Sequence, residues 1–314
     1  MRLFLAQKIY KFYGGDEMTS IIFSTHRVES GVVKGVGGFA DRLKGFAIAR
    51  LISHALGKEF RVEWDSPFPL SDNFTLHDGT WHTPLDDKTS TITLDLIDEG
   101  VDVLNQKLAD LLSGEYREKN IKIYANILYK PQWEVLLRYF PSFLVKYNEL
   151  DCAVHDTIKS SLEYTPRDTC MELLDKFNES ISAHSDVIAL QIRVGGERTW
   201  RDPPLSDPND VPEIASKIID MHGKIPSAVF VTADSRIVKQ SAASALRMLG
   251  VQNIIYHDFE EIHIERSINT DRFLVDMTIL DFICVSKCNI TYFGRGDFGR
   301  IAAVYGMKPY YSYL

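Results

Sequence analysis

Two arginine–glycine clusters in the 314-residue chain have the make-up of anion sites. The first is QIRVGGERTWRD, Gln191 to Asp202, directly after an apolar run. An arginine at the end of a buried strand is costly to leave alone, so Arg193 requires an anion. Either Glu197 or Asp202 in the same loop supplies it, or a bound phosphate or carboxylate does. A planar guanidinium suits a phosphate gripped through two oxygens. Gly195 and Gly196 let the backbone pass close to such a ligand. The second cluster is FGRGDFGRIAAVYG, in which Gly294 and Gly296 flank Arg295 and a helix starts at Gly296 or Asp297. A glycine-rich turn opening a helix exposes backbone N–H groups, the donors a diphosphate needs. Alone, GDFG also serves as a simple N-cap and tight turn. Its coupling to Arg193 at a neighbouring strand end makes the pair more specific than either part.

A third glycine cluster, GVGGFADRLKG from Gly35 to Gly45, runs into an amphipathic segment. Gly37 and Gly38 admit two readings, a loop that approaches a ligand or the entry to a packed helix. The helix face carries Leu43, Phe46, Ile48, Leu51 and Ile52, which are ordinary packing residues, while Asp41 and Arg42 fall at the tip, nearest a ligand. The spacing is not GxGxxG, and Glu63 or Asp65 is a weak ribose partner, so a dinucleotide-dependent oxidoreductase is disfavoured. Two single acids complete the candidates. Asp234 in TADS caps the following helix, as Ser235 also would, or meets a ligand. Asp281 in LDFICV is paired with Lys287 or Arg300, or accepts hydrogen bonds from a base or sugar edge.

These residues need a scaffold, and the hydrophobic pattern supplies one. Helices are expected over 39–56, 101–112, 212–221, 235–249, 271–287 and 298–305, with mostly helical chain over 132–183. Strands are expected over 60–64, 91–97, 121–128, 186–194, 228–232, 252–256 and 289–293. Short apolar strands alternating with helices imply βαβ units and parallel sheets. Two such series predict two doubly wound α/β domains facing a cleft, residues 1–183 and 184–314. In such sheets ligands gather beyond the carboxyl ends of the strands. The clusters at 191–202 and 294–297 fall there.

The formal net charge of −8 argues against a nucleic-acid binder. The N-terminal apolar run is too short and interrupted for a signal peptide or membrane helix, so a cytoplasmic setting without a membrane partner is expected. Cys152, Cys170, Cys284 and Cys288 form no CxxC pair and read as free buried thiols. Asp86 and Asp87 sit in a polar stretch and read as solvated, so no metal site is expected. The aromatic region from Trp64 to Trp81, with His77 and His82, reads either as a surface loop anchored by its rings or as a platform for a sugar acceptor.

In the order GGFADRLKG, a strand ending IR with GGE, VFVTAD, and ILDFICVSKCNITYFGRGDFGRIAA, the chain resembles the fucosyltransferase superfamily: nodulation-type, α1,6- and protein O-fucosyltransferases. The resemblance covers residues 187–304 and the early glycine loop, and leaves most of 65–180 unmatched. It implies a GT-B architecture of two Rossmann-like domains, with a nucleotide sugar, GDP-fucose, held mainly by the C-terminal one. It also implies inverting transfer to a glycan or other hydroxyl acceptor, with neither metal nor cofactor. By the resemblance Arg193 contacts the donor diphosphate, Asp281 recognises guanine, Gly294 to Asp297 form the phosphate loop, Arg300 closes that motif, and Asp234 stands in a T-D-D-like strand end. Gln191 stands where the family has histidine, Val194 replaces a second arginine, and glycines with Arg295 replace the loop serines. These departures leave room for another donor such as UDP-xylose, or for a nucleotide-sugar binder without turnover. For the catalytic base the candidates are Glu197, then Asp202, then Asp41.

Overall fold

The computed structural model describes residues 19–29, 32–35, 37–81, 91–96, 100–113, 116, 119–125, 130–140, 149–195, 206–259 and 271–314. The chain divides into two units, residues 1–164 and 165–314.

In chain order the first unit contains β1 (Ser20–Ser24), β2 (His26–Glu29), β3 (Val32–Gly35), α1 (Phe39–Leu56), β4 (Glu59–Glu63), β5 (Phe74–Leu76), β6 (Thr80–Trp81), β7 (Thr91–Leu96), α2 (Val101–Leu112), β8 (Asn120–Ala125), α3 (Lys130–Tyr139), α4 (Leu150–Ser161) and β9 (Leu162–Tyr164). Five strands pair in parallel in the order β6–β4–β1–β8–β7. β1 lies at the centre and is buried along its whole length. α1 covers it: the Phe46 ring meets Phe23 edge-on at 6.1 Å and Phe60 at 5.3 Å. α1 is packed on a second side by α4. That double cover explains why it is buried almost all round, Arg42 and Lys44 included, instead of along one stripe. It ends at Gly57, whose φ of +64° closes the helix in the left-handed region.

The second unit contains α5 (Asp168–Ser182), β10 (Val187–Ile192), α6 (Val211–His222), β11 (Ala228–Ala233), α7 (Arg236–Met248), β12 (Ile254–Ile255), α8 (Arg272–Lys287), β13 (Ile290–Phe293), α9 (Phe298–Gly306) and β14 (Tyr310–Ser312). Its parallel sheet has the order β12–β11–β10–β13–β14. β10 and β11 are buried end to end, as their unbroken apolar runs require of strands covered on both faces.

The division falls before α5, earlier than the expected 183/184, because α5 packs on α8 and sets Phe177 against Phe230 of β11 at 5.1 Å. The sequence reading missed β1, β2, β3, β5, β6 and β14, and β9 interrupts a stretch read as helical. Cys170, Cys284 and Cys288 are buried thiols and Cys152 is half-buried. Burial pushes the Cys284 and Cys288 thiols up, which makes them inert at neutral pH.

Candidate functional site

The register of the second sheet brings three strand ends together. Gln191 of β10 lies opposite Thr232 of β11 on one side and Phe293 of β13 on the other. Arg193 therefore leaves the sheet between the β11 end, with Asp234, and the β13 end, with Gly294. The structure brings these sequence candidates into one cluster.

Gly296 accounts for the closest approach. Its φ is +84°, and a Cβ added there would stand 2.8 Å from Nη1 of Arg193. Only glycine combines that backbone with that proximity. The half-buried Arg193 guanidinium thus lies against the turn that opens α9. The first amides of a helix have no acceptor within it, and the helix dipole adds partial positive charge at the same end. Arg295 is exposed beside them. Arg300 Nε donates to Asp297 Oδ1 at 2.9 Å, an (i, i+3) pair that ties the turn to the helix and partly spends the Asp297 charge. Two arginines beside a helix N-terminus are the kind of groups from which an anion site can be built.

Asp234 neither caps α7 nor faces outward. Its two carboxylate oxygens accept from the backbone N–H of Val194 and of Gly195, each at 2.9 Å. The acid at the end of β11 thereby pins the backbone just past Arg193. Burial pushes its carboxyl above the usual value, while the two amides and Arg193 pull it back. Ser235 is the N-cap position of α7, but its side chain makes no capping bond.

Gln191 is 4% exposed, and its Oε1 lacks a hydrogen-bond partner among the described residues. Its side chain rests on Gly299, where an added Cβ would come within 3.3 Å of Oε1. A buried amide oxygen with no donor is an expensive arrangement, which a donor group on a ligand would relieve.

Asp281 gains partners that its local sequence does not show. It is 0% exposed, and its partners include Thr232, Lys239 and His257. Thr232 Oγ1 and Lys239 Nζ donate to Oδ2 at 2.9 and 3.1 Å, and His257 Nδ1 stands 2.5 Å from Oδ1. Lys239 is also 0% exposed and lies 4.0 Å from the Phe259 ring centroid. Both carboxylate oxygens are engaged inside the unit. Lys239 and His257 were missed. The sole signal for Lys239 was its place beside Val238 and Ala242 on the apolar face of α7.

In the first unit the tip of the early loop is mostly structural. Gly37 has φ +73°, and a Cβ there would meet Asp41 Cβ at 2.8 Å. Arg42, expected nearest a ligand, is 0% exposed. Its Nε donates to Gly37 O at 2.9 Å, its Nη1 to Ser66 O, and the guanidinium lies 5.8 Å from the Trp64 ring centroid. Gly38 is the N-cap residue of α1. Asp41 pairs with Lys44 at 2.8 Å, and its side chain remains 34% exposed. Trp64 is buried against Phe23 and Phe39, so it belongs to the core and not to a sugar platform. Exposed His77 pairs with Glu163 at 2.9 Å. Glu197, Asp202, Gly196, His82, Asp86 and Asp87 lie outside the described residues. Among the described residues no cluster of three His, Cys, Asp or Glu is placed to hold a metal ion, and no helix is long and apolar enough to cross a membrane.

No family model matches the chain. No curated protein matches it either. Solved structures do. A point mutant of Arabidopsis thaliana FUT1 in complex with GDP matches with TM-score 0.64 and 14% identity, over 98% of this chain and 73% of that one. Fucosyltransferase NodZ from Bradyrhizobium matches with TM-score 0.54 and 12% identity, over 91% and 93%. POFUT1 in complex with GDP matches with TM-score 0.52 and 10% identity, over 96% and 99%. At these identities the likeness is one of fold: the chain has the two-unit α/β fold of the GT-B fucosyltransferases.

Proposed function

We propose that the chain is an inverting glycosyltransferase that moves fucose from GDP-fucose to a hydroxyl of a glycan or other carbohydrate acceptor. It does so in the cytoplasm, without a metal ion or organic cofactor, and without nucleic acid or a membrane. The observation that carries the reading is Arg193 lying against Gly296 at the N-terminus of α9, at the carboxyl edge of a parallel sheet. The fold likeness supports it, since the matched FUT1 and POFUT1 structures hold GDP. The second unit takes the donor and the first the acceptor.

In an inverting displacement the acceptor oxygen bonds to the anomeric carbon as the bond from that carbon to the diphosphate breaks. The electron pair stays on the diphosphate, and the acceptor proton passes to a carboxylate. Arg193, Arg295 and the first amides of α9 meet the departing charge, and preorganised groups of this kind carry much of such catalysis. Gln191 offers an amide to the donor, and Asp234 fixes the loop that aims Arg193. Glu197, four residues past Arg193, is the first choice of base, with Asp202 next and Asp41 third.

One observation favours a second donor. Because Asp281 is saturated by Lys239, Thr232 and His257, the base has no carboxylate to read there, which also fits a UDP-sugar such as UDP-xylose. A panel of GDP- and UDP-sugars, read by thermal shift and then by nucleotide release, tests both. Stabilisation by GDP-fucose with release of GDP on adding acceptor is expected. Stabilisation without release marks a non-catalytic binder, and stabilisation by NAD(P) alone overturns the reading.

A further inference from the structure

Tyr313 lies just beyond β14 in sequence, yet it packs against Gly294 and the end of β10. It is 2% exposed and belongs to the core of the second unit. β14 runs parallel to β13, pairing Phe293 with Ser312, so the next residue reaches past the carboxyl end of β13. There the Tyr313 N–H donates to Phe293 O at 3.1 Å. Its phenol crosses the sheet edge and donates to Gln191 O at 3.0 Å. A side chain at Gly294 would overlap the phenol, and the phenolic Cζ would stand 2.7 Å from that Cβ. So Gly294 is a glycine because Tyr313 occupies the space, whatever else the turn binds.

Two clamps therefore bracket Arg193. Asp234 holds the amides of Val194 and Gly195 just after it, and Tyr313 holds the carbonyl of Gln191 two residues before it. The same phenol is wedged against the turn that begins at Gly294. It sets the spacing between the strand end that carries Arg193 and the turn that carries Gly296 and the α9 amides. Burial and the nearby Asp234 carboxylate push the phenol up, so it stays protonated and able to donate.

We infer that Tyr313 is a positioning residue for nucleoside-diphosphate binding: its hydroxyl fixes the distance between Arg193 and the N-terminus of α9 without touching the ligand. This inference rests on the donor-binding reading above. A group that only fills the core would give stability alone, whereas a spacer between two halves of an anion site gives affinity as well.

The test is calorimetric titration of the full chain with GDP and with UDP, for the wild type, Tyr313→Phe and Tyr311→Phe, together with unliganded thermal midpoints. The phenylalanine keeps the ring and the packing and removes one hydrogen bond, a change on the order of three- to tenfold if that bond serves the bound geometry. Tyr311, in β14 itself, is 50% exposed and serves as the control. The expected result is Kd raised by about three- to tenfold in Tyr313→Phe and unchanged in Tyr311→Phe. Gly294→Ala, which crowds the phenol from the opposite side, moves Kd in the same direction. A lowered midpoint with wild-type Kd in Tyr313→Phe overturns the inference and leaves the donor reading standing. A wild type that binds neither nucleotide overturns the donor reading, and the inference with it.

Discussion

Arg42 and Arg193 each sit beside a positive-φ glycine, Gly37 and Gly296, and they are held in opposite ways. Arg42 is wholly buried, and its guanidinium donates to Gly37 O and Ser66 O, so it ties one loop to another. Arg193 is half-buried, held from behind by Asp234 and Tyr313, and lies against a helix N-terminus. The acids repeat the contrast. Asp281 is consumed by a buried lysine, while Asp234 is consumed in shaping the loop that presents an arginine. Residue type and glycine neighbours are alike in both units. What differs is how the two arginines are held: Arg42 is fixed through its own guanidinium, whereas Arg193 is fixed through the backbone on either side of it.

The largest effects should come from the buried pair. Asp281→Ala strands Lys239 as an uncompensated charge and should lower stability by about 3–5 kcal/mol, read by chemical denaturation. Replacing both, Asp281→Leu with Lys239→Met, should recover most of that loss. If Asp281 instead reads the donor base, Asp281→Asn will cost affinity while stability holds, and the contrast drawn here collapses. Arg42→Ala comes next, at about 3 kcal/mol, with donor binding unchanged in whatever protein remains folded.

Smaller effects sharpen the other side. Gly296→Ala pushes a methyl toward Arg193 and strains a positive-φ turn, costing about 1 kcal/mol of stability. It should weaken GDP binding by about tenfold if Arg193 is displaced. Asp234 gives a pH test. Its carboxyl titrates above the usual value in the folded protein, with burial the leading cause, so its ionised form costs the fold. That cost is absent below the unfolded carboxylate pKa and grows as pH rises through the raised folded value. Stability of the wild type relative to Asp234→Asn, measured by denaturation across that interval, should therefore fall as pH rises. A rise would mean that the amides of Val194 and Gly195 outweigh burial.

Much of the scaffold is legible from pattern. α1 runs over Phe39–Leu56 and α2 over Val101–Leu112, both as periodicity predicts. The apolar runs at Val187–Ile192 and Ala228–Ala233 announce buried parallel strands. The misses have physical causes. β1 has three apolar residues between two serines, too few to show a period, although it is the centre of its sheet. α5 is amphipathic, and nothing local says on which unit Phe177 will pack. Arg193 with the 294–297 turn is readable because strand ends and helix starts are local signals. The burial of Arg42 and the Asp281–Lys239–His257 cluster are not, since Ser66, Lys239 and His257 arrive from distant parts of the chain. Tyr313 escaped because YYSYL alternates for too few residues to be read as a strand end.

The central claim is that Arg193, against the α9 N-terminus, carries the charge of a departing diphosphate. Steady-state release of GDP from GDP-fucose in the presence of acceptor, compared between wild type and Arg193→Ala, tests it most directly. Turnover should fall by about 100- to 1000-fold, with a thermal midpoint close to that of the wild type. Wild-type turnover in a folded Arg193→Ala variant would contradict it.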